Sequence, residues 1–306
     1  MNKESEWKGP LQKFAEASDL TKTFLALDLD GTALLEDHGK VFISSSVEKG
    51  VKAIHDFHIP VVLNTLRFPL SVMRTIGEAW YQIADVPILT VLLNGSVLGY
   101  IKGNDDGELH YEELSAFPLS HAELKTMLTG VRQLTEAGID EILFFFYSRD
   151  WKEGETLWTP KEERVAALQK KFVSASRVFS GTVEQLAAEL LRREICMTSL
   201  FIDRPGDTLM AYQHSKRNSF FTAKGVNKAS GLREVAARID RSCPAALGAG
   251  DTEMDTFLSE VGFAVIVGGA KLPFRGRTET LRVATPQELG DLILAYADFL
   301  KHKGAS

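Results

Sequence analysis

Asp28 and Asp30 stand two residues apart in Asp28-Leu29-Asp30-Gly31-Thr32, directly after the apolar run Phe24-Leu25-Ala26-Leu27. Two carboxylates at the end of a buried strand are costly unless something cationic neutralises them. A hard divalent cation, which prefers oxygen ligands, is the obvious candidate. Three plainer readings compete. A solvated acidic turn leaves the apolar strand unexplained. A calcium loop starting at Asp28 fails, because its sixth and twelfth positions hold Ala33 and Gly39 instead of glycine and glutamate. A structural cap made by Asp30 stays open, so the rest of the chain must decide between chemistry and structure.

The elements that would position these acids alternate regularly. Phe24 to Leu27 reads as a strand buried on both faces, since the run is continuous. Leu34-Leu35-Glu36-Asp37-His38-Gly39 reads as a polar loop. Ser44, Ser45 and Ser46 offer N-caps for a helix with Val47, Val51, Ile54 and Phe57 at helical spacing. His55 and His58 on it read as surface residues, no third ligand being near. Ile59 to Leu63 is a second strand, ending in Asn64-Thr65-Leu66-Arg67, and a helix follows from Pro69 to about Tyr81. Pro87 to Leu93 is a third strand, closed by the turn signal Asn94-Gly95, which is read as structural. Strand, helix, strand, helix, strand implies a parallel sheet with right-handed crossovers.

Near residue 98 the pattern changes. Val97–Ile101 and Leu109–Leu114 flank Gly103-Asn104-Asp105-Asp106-Gly107 and read as a hairpin. Helices are expected over about 120–137, 160–171 and 183–193. Strands are expected over 142–147, 197–202, 208–212 and 219–222. This mixture implies an α+β insert, with the aromatic run Phe144-Phe145-Phe146-Tyr147 in its core. The parallel pattern resumes with an amphipathic segment from Lys228 to Ile239. A small-residue strand, Ala245 to Gly250, then runs into Asp251-Thr252-Glu253-Met254-Asp255, and a further strand spans Phe263 to Val267. The last helix opens with a capping box and proline at Thr285-Pro286-Gln287-Glu288.

Three strands thus end in polar chemistry: Asp28 and Asp30, Thr65, and Asp251 with Asp255. In a parallel sheet they share one edge, and Lys228 precedes the helix leading to the last of them. Phosphoryl transfer uses such a set. Magnesium (Mg2+) binds few carboxylates, keeps waters for substrate oxygens and offsets repulsion between anionic nucleophile and phosphate. A carboxylate can attack phosphorus, a second can protonate the leaving oxygen and then deprotonate water, and lysine and threonine can hold the phosphoryl oxygens.

Together these motifs resemble those of the haloacid dehalogenase (HAD) superfamily of phosphatases. Asp28 to Thr32 is similar to its first motif, Thr65 to its second, Lys228 in Gly225-Val226-Asn227-Lys228-Ala229-Ser230-Gly231 to its third, and Gly250-Asp251-Thr252-Glu253-Met254-Asp255 to its fourth. The order is that of the family. Asp28 to Thr65 spans 37 positions, too few for a cap domain, whereas Thr65 to Lys228 spans 163. That placement resembles the Cof-type, sucrose-phosphatase-like branch, relatives of which include mannosyl-3-phosphoglycerate phosphatases. The resemblance implies Asp28 as nucleophile and Mg2+ ligand. It implies Asp30 as acid/base, with its main-chain carbonyl on the metal, and Thr65 and Lys228 as phosphate-binding groups. Asp251 becomes a metal ligand, Asp255 a support for the metal site, and Arg67 a substrate contact. It disfavours dehalogenation, whose enzymes lack the second aspartate. Two positions depart from the pattern: Leu66 replaces a glycine in Thr-Gly-Arg, and Met254 replaces an asparagine.

The expected fold is α/β: a Rossmann-like parallel-sheet core (residues 20–97 and 222–306), an inserted α+β cap (98–221) that sets specificity, and an N-terminal extension (1–19). The expected activity is Mg2+-dependent hydrolysis of a small phosphorylated metabolite, a sugar phosphate. The alternatives are a phosphosugar mutase and a non-catalytic binding protein on the same fold. Composition agrees with a soluble globular chain of 306 residues, 44% hydrophobic and 25% charged. A net charge of −6 argues against a general nucleic-acid binder. The first residues lack the apolar centre of a signal peptide, and no stretch approaches a membrane span. Two cysteines, Cys196 and Cys243, without metal-type spacing, fit the cytoplasm. Arg149, Lys152, Arg204, His214, Lys216 and Arg217 are insert cations that read as surface charges.

Overall fold

The computed structural model describes residues 4–37, 40–84, 86–104, 106–203 and 218–304. Its strands are β1 (Leu25–Leu27), β2 (Leu34–Asp37), β3 (Lys40–Ile43), β4 (Val61–Asn64), β5 (Ile88–Leu92), β6 (Val97–Gly103), β7 (Leu109–Ala116), β8 (Ile142–Ser148), β9 (Glu155–Thr159), β10 (Ala175–Ser180), β11 (Ile195–Ile202), β12 (Asn218–Phe221), β13 (Leu247–Gly250), β14 (Phe263–Val267) and β15 (Glu279–Val283). Its helices are α1 (Glu4–Ala17), α2 (Ser45–His55), α3 (Pro69–Val72), α4 (Glu78–Ala84), α5 (His121–Glu136), α6 (Val165–Lys171), α7 (Val183–Leu191), α8 (Lys228–Arg238) and α9 (Pro286–Gly304).

The main sheet has the order β15-β14-β13-β1-β4-β5-β6-β7. Strands β15 through β5 are parallel, and β6 and β7 run antiparallel at one end. From β1 the chain steps out to β4 and β5, then returns to lay down β13, β14 and β15 on the other side. The reversal falls beside β1, where such sheets open a crevice beyond the strand ends. Burial on both faces accounts for the unbroken apolar runs. Leu25 and Leu27 pack in one layer with Val47, Val51 and Ile54 of α2 and Leu289, Leu292 and Ile293 of α9. Phe24 and Ala26 pack in the opposite layer with Leu232 and Val235 of α8. The α/β expectation holds.

The second sheet has the order β10-β9-β8-β11-β12 and is antiparallel except for the β9–β10 pair. The aromatic run lies on β8, its centre, and is core as expected: the strand is buried along its whole length. Phe144 and Phe146 pack with α5 and α7. Phe145 and Tyr147 point the other way, into the layer shared with the main body, and the Tyr147 ring lies 5.4 Å from that of Phe68. No helix among the described residues is long and apolar enough to cross a membrane.

Several elements differ from expectation. The 97–114 hairpin, placed in the insert from sequence, hydrogen-bonds to β5 and extends the main sheet. Residues 93–96 connect β5 to β6, too short a link for a parallel crossover, so β6 must return beside its predecessor. Residues 34–37 are not a polar loop but β2, paired with β3 in a small hairpin; His38 and Gly39 lie outside the described residues, as does Asp105. Strands β9, β10 and β15 went unread, and the expected 208–212 strand lies outside the described residues. The 160–171 helix is a short 3-10 turn, Glu162–Arg164, followed by α6. The lead at the N-terminus is the helix α1, whose Phe14 ring packs 5.2 Å from Phe263 and 5.9 Å from Tyr296. His58 lies past the end of α2 and is exposed.

Candidate active site

The chain leaves the main sheet at three neighbouring strand ends, and each exit delivers polar groups to one cleft. Asp28 follows β1, its N–H donating to the Ala249 carbonyl at 3.0 Å. Thr65 follows β4, its N–H donating to Val91 at 2.9 Å. Asp251 follows β13, and Lys228 is the first residue of α8, held by the side-chain cap of Asn227 on the Ser230 N–H. A cleft of about 560 Å³ is lined by Asp28, Asp30, Thr65, Lys228, Asp251 and Thr252, with Leu34, Leu35, Glu36 and Val41 of the β2–β3 hairpin along one wall. Gly31 makes the turn after β1 possible. Its φ is +78°, and a Cβ there would stand 2.2 Å from Asp251 Oδ2.

Lys228 is buried and bridges two carboxylates, with Nζ 2.6 Å from both Asp28 Oδ1 and Asp255 Oδ1. Burial works against its charge, but Asp255 and Asp28 outweigh it and hold the ammonium above the usual lysine range. The other oxygen of Asp255 accepts the N–H groups of Asp251 and Thr252, both at 2.8 Å. Asp255 thus secures Lys228 and the Asp251 loop. Burial pushes the Asp28 carboxyl upward, aided by Asp255 and Asp251 and opposed by Lys228. Asp251 is pushed up to about 6 by burial and by Asp255.

Three carboxylates, Asp28, Asp251 and Asp255, bring oxygens within 4.8 Å of one another. One ammonium faces them, so two negative charges remain uncompensated, which suits a divalent cation with hard oxygen ligands. The Thr32 hydroxyl lies 3.2 Å from both Asp28 Oδ2 and Asp251 Oδ1 and has one proton to give, so it satisfies only one of them. The residues present therefore fit a bound divalent metal ion.

Asp30 also lines the cleft but faces a different cation. Arg67 donates from Nε to Oδ2 at 2.8 Å and from Nη2 to Oδ1 at 2.6 Å. Its side chain is 1% exposed, against 31% for Asp30. The expected substrate contact is thus engaged behind the cleft wall. Leu66 is not among the non-glycine residues with positive φ and is largely buried in the main apolar layer, so the second motif closes here without a glycine. Met254 likewise packs against that layer, and Glu253 is exposed.

The Asn94-Gly95 turn braces this site. Leu93, Asn94 and Gly95 all have positive φ, 50°, 57° and 92°. The N–H groups of Leu93 and Asn94 donate to the carbonyls of Arg67 and Thr65 at 3.2 and 3.4 Å. A Cβ on Gly95 would lie 2.2 Å from the Asn227 carbonyl, so the turn seats directly on the cap of α8.

The insert cations lie elsewhere. Arg149 pairs with Glu113 and Glu194, Lys152 lies over the Trp151 ring, and Arg204, His214, Lys216 and Arg217 lie outside the described residues. Sequence reasoning assigned no role to Thr32, although it belongs to the quoted first motif and a hydroxyl beside two acids was the available signal. It also missed the β2–β3 wall.

The family model of haloacid dehalogenase-like hydrolases matches residues 25–273. A phosphatase of the haloalkanoate (HAD) enzyme superfamily from Bacteroides thetaiotaomicron is 21% identical, over 93% of this chain and 96% of that one, with a TM-score of 0.61. A HAD subclass IIB sugar phosphatase is 18% identical over 93% of this chain and 100% of that one, TM-score 0.63. A Thermotoga maritima protein is 16% identical over 90% and 96%, TM-score 0.61. These likenesses show a common fold. No match was found among curated proteins.

Proposed function

The chain belongs to the haloacid dehalogenase-like hydrolases, and from that premise we propose that it is a Mg2+-dependent phosphatase acting on a small phosphomonoester through an aspartyl-phosphate. The observation that carries the reading is the state of Asp28. One of its oxygens is held by Lys228, while the other accepts the Thr32 hydroxyl and belongs to a side chain that lines the cleft.

In the proposed reaction Asp28 Oδ2 attacks phosphorus as the ester P–O bond breaks, and the bond electrons leave with the alkoxide, which Asp30 protonates. Water then attacks the aspartyl-phosphate, Asp30 takes its proton, and the P–O bond to Asp28 breaks to release inorganic phosphate. Thr65 and Lys228 bind the phosphoryl oxygens as charge shifts among them. Asp28, Asp251 and the Asp30 main-chain carbonyl would hold the Mg2+, which screens the nucleophile from the phosphate when bound. Asp255 keeps Lys228 and the Asp251 loop in place. The second sheet with its helices serves as the specificity cap, closing over the site to exclude water.

The subclass IIB sugar phosphatase among the similar structures supports a sugar phosphate as substrate class. Among the described residues lining the cleft, Lys228 is the only cation, and two of its three N–H donors already meet carboxylates, leaving one for a single phosphoryl group. That favours a monoester of an uncharged alcohol over the bisphosphate a mutase requires. Burial pushes the thiols of Cys196 and Cys243 up, to about 12 and about 11, and such inert free cysteines are consistent with the cytoplasm.

Phosphate release from a panel of sugar phosphates and 4-nitrophenyl phosphate, with and without Mg2+, tests the reading. Turnover should require the metal and fall by at least about 10³-fold in Asp28→Asn. Stimulation of product formation by a sugar bisphosphate would favour the mutase instead. Mg2+ binding by folded wild type without turnover on any panel member would leave a binding protein.

A further inference from the structure

We propose that Arg67 is a positioning residue for Asp30, not a substrate ligand: it fixes the direction from which the Asp30 carboxylate meets the leaving oxygen. The inference rests on the phosphatase reading above. The two parallel bonds from Nε and Nη2 take both oxygens of Asp30 and hold carboxylate and guanidinium edge to edge. Asp30 is part of the cleft wall and Arg67 is not. A carboxylate so exposed would otherwise sample several rotamers, of which few aim at a leaving group.

Arg67 is itself fixed. Its remaining nitrogen, Nη1, donates to Ser71 Oγ at 3.3 Å and to Thr75 Oγ1 at 3.1 Å, and the Thr75 hydroxyl donates to the Ser71 carbonyl at 2.7 Å. Thr75 belongs to a π-helical turn, Met73–Gly77, between α3 and α4. Such turns are rare and concentrate at functional sites. The Arg67 main chain is tied as well: its N–H donates to Thr65 Oγ1 at 3.2 Å, and its carbonyl accepts from Leu93. One residue thereby couples the orientation of the acid/base to the loop that carries the phosphate-binding hydroxyl. A surface ion pair would do little of this. Here the cation is buried, the geometry is bidentate, and the fork has no freedom to follow a displaced partner.

The test separates orientation from binding. Arg67→Lys keeps the charge and loses the fork; Thr75→Val leaves Arg67 in place and removes one brace. Each is measured in the full chain with Mg2+, for kcat and KM on a sugar monophosphate, for inhibition by inorganic phosphate, and for the first turnover of 4-nitrophenyl phosphate. A positioned acid/base is worth about 10²–10⁴-fold in rate. Losing its orientation alone should cost Arg67→Lys about 10–100-fold in kcat on the sugar monophosphate, with KM and phosphate inhibition within about threefold of wild type. 4-Nitrophenolate leaves without a proton, so its first turnover should stay fast and appear as a burst approaching one equivalent per protein. Hydrolysis of the aspartyl-phosphate, which needs Asp30 as base, then limits turnover. Thr75→Val should show the same pattern at about threefold, and it carries the test if Arg67→Lys does not fold. A tenfold rise in KM with kcat kept would make Arg67 a substrate ligand and overturn the proposal. Equal losses on both substrates without a burst would reduce its role to holding the fold, and overturn it too. Wild type that releases no phosphate from any monoester would instead remove the phosphatase reading, and this role with it.

Discussion

Asp255, at the edge of the main sheet, and Glu155, on β9 of the second sheet, are both completely buried. Asp255 accepts one ammonium and two main-chain N–H groups. Glu155 accepts only two hydroxyls, from Tyr147 at 2.6 Å and Ser174 at 3.0 Å, and among the described residues no cation pairs with it. Burial pushes the Glu155 carboxyl upward despite both hydroxyls. These two carboxyls are buried by different means. The second sheet surrounds one carboxyl with neutral donors. The main sheet gathers three carboxylates around one ammonium, an arrangement costly for stability and able to hold a cation.

Making the first region resemble the second should have the largest effect. Lys228→Met leaves Asp28 and Asp255 buried without their ammonium, and urea unfolding near neutral pH should show a loss of about 3–5 kcal/mol. Millimolar Mg2+ should recover part of it. An unchanged urea midpoint would mean that the ion pairs do not matter to the folded state. Gly31→Ala should come next. A side chain there would intrude on Asp251 in a left-handed conformation that costs about 1–2 kcal/mol. Calorimetric Mg2+ affinity should fall about tenfold or more, and retained affinity would show that Asp251 is not a ligand.

The third effect is one of pH. Asp251, raised to about 6 in the folded chain, takes up a proton as pH falls through that value. Mg2+ must then displace the proton, so its apparent affinity should drop by up to about tenfold per pH unit below 6. A flat profile from pH 7.5 to 5 would contradict this. The smallest effect belongs to Glu155→Gln. Because burial raises the folded carboxyl above its ordinary 4.5, its favourable contribution is complete below about that pH and fades as pH rises through the raised value. Glutamine does not ionise and still meets both hydroxyls. The variant should therefore match wild type at pH 4.5 and exceed it at pH 8 by about 0.3–0.5 M in urea midpoint. A variant weaker at pH 8 would show that the ionised carboxylate is wanted after all.

Much of the main sheet was legible because its information is local. Continuous apolar runs such as Phe263 to Val267, short and alternating with helical patterns, read as strands buried on both faces, and in a parallel sheet the residues closing them share an edge. Asp28, Asp30, Thr65, Lys228 and Asp251 consequently line one cleft, as their positions in the chain imply. The failures lie where a partner is distant or a pattern is broken. Strand alternation identifies the 97–114 hairpin but does not say which sheet it joins; the short link after β5 decides that. Hairpin β2–β3 was hidden because Leu34 and Leu35 are followed in the sequence by a polar stretch that reads as a loop. The reach of Arg67 to Asp30, 37 positions away, leaves no trace in the composition around either. Nor does anything in the residues Met73 to Gly77 announce a π turn.

The hairpin that extends the main sheet has a further consequence. It moves the true start of the insertion to the residues after Ala116. There the Phe117 N–H donates to Ser96 at 2.8 Å, and on the return path the Lys224 N–H donates to Glu123 Oε1 at 2.7 Å. The cleft groups proposed for the chemistry all belong to the main body, outside these two moorings. Under that assignment a lineage could exchange, enlarge or erode what lies between them and inherit the reacting groups unchanged. Such modularity lets one chemical apparatus survive many changes of diet.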